Sequence, residues 1–142
     1  MFFEISQSNA RFIIKIFGFR LTFQKLVLNR LLDMCYIPDL EYLKKQGTGF
    51  MHPVNVVIDK GVKVGKNCLI HQNVTIGSEN VSPPILGDRV TIYPNVVIWG
   101  NVKIGNDVII GAGSVVKESV PDSAVVAGNP AKVIKYIDKQ KI

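Results

Sequence analysis

A chain of 142 residues suits a single domain, and 47% hydrophobic with 20% charged residues is the balance of a globular fold, which excludes disorder. A net charge of +6 favours nucleic acid, an acidic membrane surface or a phosphate-bearing cofactor as partner. Nucleic acid is set aside, because the lysines are scattered rather than interleaved with exposed aromatics and no nucleic-acid module is present.

Residues 1–36 differ in character from the rest. Between Ser8 and Met34 there is one glycine and no proline, and Phe12, Ile16, Phe19, Phe23, Leu26 and Leu31 fall near helical spacing among basic residues. This predicts an N-terminal helical segment, in one piece or divided at Gly18. Its apolar side could cover an end of the following domain or pack between subunits; the competing reading is a basic amphipathic helix making peripheral contact with anionic lipid. The apolar run FIIKIFGF is broken by Lys15 and falls short of the ~20 residues of a spanning helix, and no signal peptide is evident. Ile37-Pro38 ends the helical pattern, and residues 37–51 form a transition in which Gly47 and Gly49 mark turns. Cys35 and Cys68 lack zinc-site spacing and fit a reduced compartment, so a soluble cytoplasmic protein is expected.

From residue 52 the chain repeats in sixes. Ile58, Val64, Ile70, Ile76, Leu86, Ile92, Ile98, Ile104, Ile110 and Val116 recur as bulky aliphatics. Four places after nearly every one stands a second, usually smaller residue: Val62, Cys68, Val74, Val90, Val96, Val102, Val108, Ser114 and Val120. A period of six is not helical; it fits short strands with a corner between each, stacked into a prism. The aliphatics fill the interior, with small residues such as Gly65, Gly87 and Gly105 beside them where the prism narrows. Three hexads make a coil, and successive coils lie about 4.8 Å apart. Residues 78–85 interrupt the repeat.

Two stretches carry more than architecture. HPVNVVIDKGVKVGKNCLIHQNVTIG (52–77) resembles the catalytic coils of serine acetyltransferases. IGAGSVVKESVPDSAVVAGNPAKVI (110–134) resembles the coenzyme A-binding end shared by serine, galactoside and maltose acetyltransferases. The resemblance covers about the last two-thirds of the chain. It implies an all-β fold, a left-handed parallel β-helix spanning 52–142 with a C-terminal cap, behind the N-terminal helical segment. It also implies a homotrimer with active sites between neighbouring prisms, and acetyl-CoA as acyl donor.

By position, the resemblance makes His52 the catalytic base. An acceptor hydroxyl is a poor nucleophile until its proton is removed, and imidazole suits that task near neutral pH. No Cys or Ser stands beside it, so direct transfer without an acyl-enzyme is expected. Gly77, Ala112, Gly113, Lys117, Lys132 and Lys135 are the cofactor-binding residues it implies: small residues let backbone approach the pantetheine arm, and lysines suit phosphate. His71, 19 residues after His52, should lie near it on the adjacent coil, facing outward or toward a neighbouring subunit. It reads either as a substrate-contacting group or as a surface histidine. The resemblance also implies that the loop at 78–85 closes over the site, although Pro83-Pro84 fits an inert excursion equally well. With two histidines in the chain, no three-histidine metal set is available within one subunit, and no metal is expected.

The departures concern the acceptor. Met51 replaces the family's aspartate before the histidine, a second aspartate has no counterpart around Ile37, and the arginine–histidine pair that holds the amino-acid substrate gives way to Val81-Ser82-Pro83. Three functions stay open: a serine acetyltransferase-like O-acetyltransferase acting on a small hydroxyl acceptor, a sugar or nucleotide-sugar O-acetyltransferase of surface-polysaccharide biosynthesis, and a non-catalytic trimeric scaffold.

Overall fold

An aliphatic residue at every sixth position can be buried each time only if the chain turns a corner between consecutive short strands and winds around a common axis. The computed structural model does this; it describes the backbone of residues 4–8, 11–16, 19–22, 35–79 and 82–138, and the side chains of 35–79 and 82–138.

The N-terminal part forms β1 (Glu4–Ser8), β2 (Arg11–Ile16) and β3 (Phe19–Thr22), an antiparallel sheet with Lys15 opposite both Glu4 and Arg20. The helix expected across 8–34 is therefore overturned at residues 8, 11–16 and 19–22, and with it the helix on lipid there; the other residues of that stretch lie outside the described set. The reason is legible. Phe12, Ile14 and Ile16 alternate with Arg11, Ile13 and Lys15, and β-branched and aromatic residues favour an extended chain. Period two outweighs the looser helical spacing.

Helix α1 (Leu40–Lys45) falls inside the stretch expected to be a transition. Glu41 lies in its first turn and Lys44 and Lys45 in its last, matching the helix dipole, and Leu43 is buried at the end of the prism. This short helix supplies a cap for that end.

The prism has three faces. The first holds β4 (Gly49–Phe50), β7 (Leu69–Ile70), β10 (Thr91–Ile92), β13 (Ile109–Ile110) and β15 (Ala124–Gly128) in parallel, closed by antiparallel β16 (Ala131–Tyr136). The second face is β5 (Val57–Ile58), β8 (Thr75–Gly77), β11 (Val97–Trp99) and β14 (Val115–Val116). The third is β6 (Lys63–Val64), β9 (Ile85–Leu86) and β12 (Lys103–Ile104). The chain passes from first to second to third face on each coil, and the first coil begins ahead of His52, at β4 and at the Tyr36–Val57 bridge. Gly49 thus lies in a strand rather than a turn, whereas Gly47, at φ +77°, does turn the chain.

Every aliphatic of both hexad series is buried, as are Cys68 and Ser114. Each fully buried Ile or Val contributes on the order of 1.5–3 kcal/mol. At the corner between third and first faces the glycines have a more specific role than fitting a taper. Asp88 Oδ1 accepts the Lys66 N–H, Asn106 Oδ1 that of Asp88, and Asp122 Oδ1 that of Asn106, at 2.7–2.8 Å. A Cβ at Gly65 or Gly105 would collide with backbone of the next coil beneath this ladder.

Two tests follow from the core. Ile92→Ala should cost about 2–5 kcal/mol in urea unfolding, while Lys103→Ala on the exposed side of the same prism should stay within about 0.5 kcal/mol. Burial pushes the Cys68 thiol above its ordinary value of 9.0. The folded chain keeps it protonated where the unfolded chain ionises it, so this contribution is intact below pH 9 and is lost as pH rises past it. Cys68→Val should lack that part of the alkaline decline.

Candidate active site

The site is set by the corner joining the first and second faces. On three coils this corner is short: Ile70 leads to Asn73, Ile92 to Asn95 and Ile110 to Gly113, each ending on a left-handed residue. On the first coil Phe50 leads to Asn55, so the corner carries two extra residues. His52 is in that expansion. It is exposed and itself left-handed, at φ +51°, a conformation uncommon for residues other than glycine and one that clusters at functional sites. The Val54 N–H donates to its carbonyl at 2.7 Å around buried Pro53. Cys35 holds the expansion from outside the coil: its Sγ lies 3.3 Å from the Pro53 carbonyl and accepts the Val56 N–H at 3.4 Å.

The extra residues alter one expected neighbour. The pairing of β4 with β7 sets His71 level with Met51, not with His52. His71 faces outward, as expected, and its ring stacks on Tyr93 of the following coil, with centroids 5.0 Å apart and planes 19° from parallel.

Ala112 and Gly113 lie exposed on the same edge as His52, in the column Val54, Gln72, Pro94, Ala112 and its neighbour Asn55, Asn73, Asn95, Gly113. From the first coil to the fourth is three strand spacings, about 14 Å. Gly113 has φ +71° and open space where a Cβ would stand, which suits a ligand passing close to backbone. Lys132 and Lys135 are exposed on β16, and Lys132 meets Glu118 at 3.4 Å, a surface pair worth little by itself.

Gly77 and Lys117 are not brought to this edge. They share a column with Asp59 and Trp99 at the corner between second and third faces. Gly77 is buried, and a Cβ there would collide with the Asp59 carboxylate and crowd the Trp99 ring. The same carboxylate accepts the Ser78 N–H at 3.3 Å where the chain leaves the prism. Gly77 therefore permits the loop to depart. A cleft of about 420 Å³ opens beside that loop, lined by Gly61, Lys63, Ser82, Pro83, Ile85 and Asn101. It offers one titratable side chain and lies at a different corner from His52, so the chemistry is assigned to the His52 edge.

Gln72 and Tyr93 went unpredicted. Among the described side chains, Gln72 Oε1 is buried without a hydrogen-bond partner, as is Thr48 Oγ1. The signal for Tyr93 was available: glycine follows the aliphatic at Gly65, Gly77, Gly87, Gly105 and Gly111, whereas tyrosine follows Ile92. No group of three or more metal-ligating side chains occurs among the described residues.

A coiled prism with an exposed histidine at one end of an edge and a small-residue track at the other is the arrangement of a transferase of the hexapeptide kind. The family model "Bacterial transferase hexapeptide (six repeats)" matches residues 83–118. The WcaB protein of Escherichia coli K12, provisionally named a colanic acid biosynthesis acetyltransferase, is 40% identical over 114 residues, 76% of this chain and 70% of its own. Serine acetyltransferase 4 of Arabidopsis thaliana is 35% identical over 108 residues, 72% of this chain and 30% of its own. The solved serine acetyltransferase of Brucella abortus in complex with coenzyme A superposes with a TM-score of 0.62 at 33% identity, over 65% of this chain and 38% of that one. The chain thus spans about a third of the serine acetyltransferases and most of WcaB. It belongs to the hexapeptide-repeat acyltransferases, serine acetyltransferase-like, and its prism is their left-handed parallel β-helix.

Proposed function

We propose that this protein is an O-acetyltransferase that uses acetyl-CoA to acetylate a hydroxyl of a small acceptor. The observation that carries the reading is the shared edge, with exposed His52 at one coil and the exposed Ala112-Gly113 backbone about 14 Å along the axis. Acetyl-CoA supplies an activated acetyl thioester. Ala112 and Gly113 give its flexible arm a surface without bulky side chains, and Lys132 and Lys135 offer charge to its phosphates. Support for this donor comes from the Brucella enzyme solved with coenzyme A.

His52 takes the proton of the acceptor hydroxyl as that oxygen attacks the acetyl carbonyl. As the carbon–sulfur bond breaks, the imidazolium returns the proton to the departing thiolate, leaving an acetyl ester and free coenzyme A thiol. Charge balances without an acyl-enzyme, metal or redox partner. Met51 occupies the position before the base, so His52 is oriented by its corner, through the turn at Pro53 and the Cys35 contacts, rather than by a preceding carboxylate.

We further propose that the active unit is a homotrimer with sites between neighbouring prisms, acting in the cytoplasm. The family resemblance supports the first statement, and the use of acetyl-CoA as donor supports the second. A specific observation also favours a sugar over serine as acceptor: Met51 and Val81-Ser82-Pro83 stand where the serine acetyltransferases carry an aspartate and the arginine–histidine pair, while WcaB, 40% identical, is provisionally named for colanic acid biosynthesis.

Thiol release from acetyl-CoA tests the activity. His52→Ala should reduce kcat by about 10²–10⁴-fold while retaining the rise in Tm that coenzyme A produces. Lys132→Ala should weaken that rise. Full turnover in His52→Ala would remove His52 as the base; a chain with no turnover on any acceptor and no response to coenzyme A is the scaffold instead.

A further inference from the structure

The corner between the first and second faces repeats one residue type. Its left-handed positions on successive coils are Asn55, Asn73, Asn95 and Gly113, at φ +54°, +53°, +61° and +71°. Backbone bonds stack them: the Asn73 N–H donates to Val54, that of Asn95 to Gln72 and that of Gly113 to Pro94. Left-handed backbone favours asparagine. It does not demand it here, because the corner between the third and first faces holds Asn67, Arg89, Asp107 and Ser123 in the same conformation. There Arg89 and Asp107 are tied to each other by an ion pair at 2.6 Å. Asn55, Asn73 and Asn95 are instead exposed, and their side-chain amides make no hydrogen bond among the described residues.

Three free amides therefore stand one strand spacing apart, about 4.8 Å, on the edge that joins His52 to Ala112 and Gly113. Each offers a carbonyl acceptor and an NH2 donor. A ligand that is itself a chain of amides uses such a ladder only if its own repeat matches. The pantetheine arm of coenzyme A carries two secondary amides, one in its cysteamine unit and one in its β-alanine unit. A carbonyl carbon and a pair of methylenes separate their nitrogens, which ordinary bond lengths set about 5 Å apart in an extended arm. A further pair of methylenes separates the cysteamine nitrogen from the sulfur. Thioester, first amide and second amide thus follow one another at nearly the rise of successive coils.

The base fixes which rung comes first. With the thioester at the His52 coil, where Asn55 stands, the cysteamine amide falls at Asn73 and the β-alanine amide at Asn95. The branched pantoyl group then meets the fourth coil, where Ala112 and Gly113 present nothing larger than a methyl. The phosphates lie beyond, toward Lys132 and Lys135 on β16.

We propose that Asn73 and Asn95 bind the two amides of the pantetheine arm, one on each coil, and so set the register that carries the thioester to His52. A trans amide turns its N–H and its carbonyl to opposite sides, so each rung makes one bond, through Oδ1 to the N–H or through Nδ2 to the carbonyl. This rests on the acetyl-CoA reading and adds the residues that place the donor.

Replacing asparagine by glycine keeps the left-handed corner and removes only the amide. Calorimetric titration with coenzyme A should show Kd raised about three- to tenfold in Asn73→Gly and again in Asn95→Gly, the loss of one hydrogen bond each, and the effects should multiply in the double variant. Asn67→Gly, at the other corner, should change Kd less than about twofold. In the isotope-labelled full chain, saturating coenzyme A should shift the Asn73 and Asn95 side-chain NH2 resonances, assigned by their loss in the variants, and leave that of Asn67 in place. Cross-relaxation should link Asn73 to the cysteamine methylenes and Asn95 to those of β-alanine. Unmoved resonances at saturation, variants that bind as the full chain does, an equal loss in Asn67→Gly or the reverse order of methylene contacts would overturn the proposal. A full chain that does not bind coenzyme A removes the acetyl-CoA reading itself, and the role of the ladder with it.

Discussion

The parallel pairing of one coil on the next governs this molecule. Strands of two or three residues cannot hold a sheet alone, so each coil depends on the backbone bonds it shares with its neighbours and on the aliphatics it stacks in the common interior. Pairing also turns sequence positions into columns. A residue type repeated down a column becomes a structural device, as in the carboxylate and amide ladder of Asp88, Asn106 and Asp122, with glycine before the first two. A residue that breaks a column becomes conspicuous.

The functional edge arises where columns are broken. Two extra residues at the first corner lift His52 out of the prism, while Val54, Cys35 and the Tyr36–Val57 bridge pin the corner on both sides. His52 is thereby exposed yet held by backbone, which suits a group that must meet a proton in a defined place. On the same edge the column reduces to Ala112 and Gly113, and on its flank it fills with His71 and Tyr93. The Ala112-Gly113 backbone, His52 and the His71–Tyr93 pair thus come from neighbouring positions of one repeat, set apart by the size and chemistry of their side chains.

The prism was legible in the chain because burial here follows a strict period. Both hexad series locate the core, since a bulky side chain every six residues has nowhere else to go. The N-terminal 11–22 stretch misled because Phe12, Ile16 and Phe19 also fit a helical stripe, and strand pairing such as Ile14 opposite Ile5 and Leu21 is not visible without a partner. The site was legible in part. The motifs singled out His52, Ala112 and Gly113, which lie along one edge, but the neighbour of His71 depended on the two extra residues, which set it level with Met51. Gly77 was given to the cofactor when its small size serves Asp59, Trp99 and the loop. Gln72 was silent because an unpaired amide oxygen is a fact of three dimensions.

The central claim is that donor and base share one edge. Carbethoxylation by diethyl pyrocarbonate, read residue by residue by mass spectrometry, addresses it directly, since the chain holds two histidines, His52 and His71. Coenzyme A should slow modification of exposed His52 in proportion to its occupancy. An unchanged rate at His52 with coenzyme A saturating would contradict the shared edge.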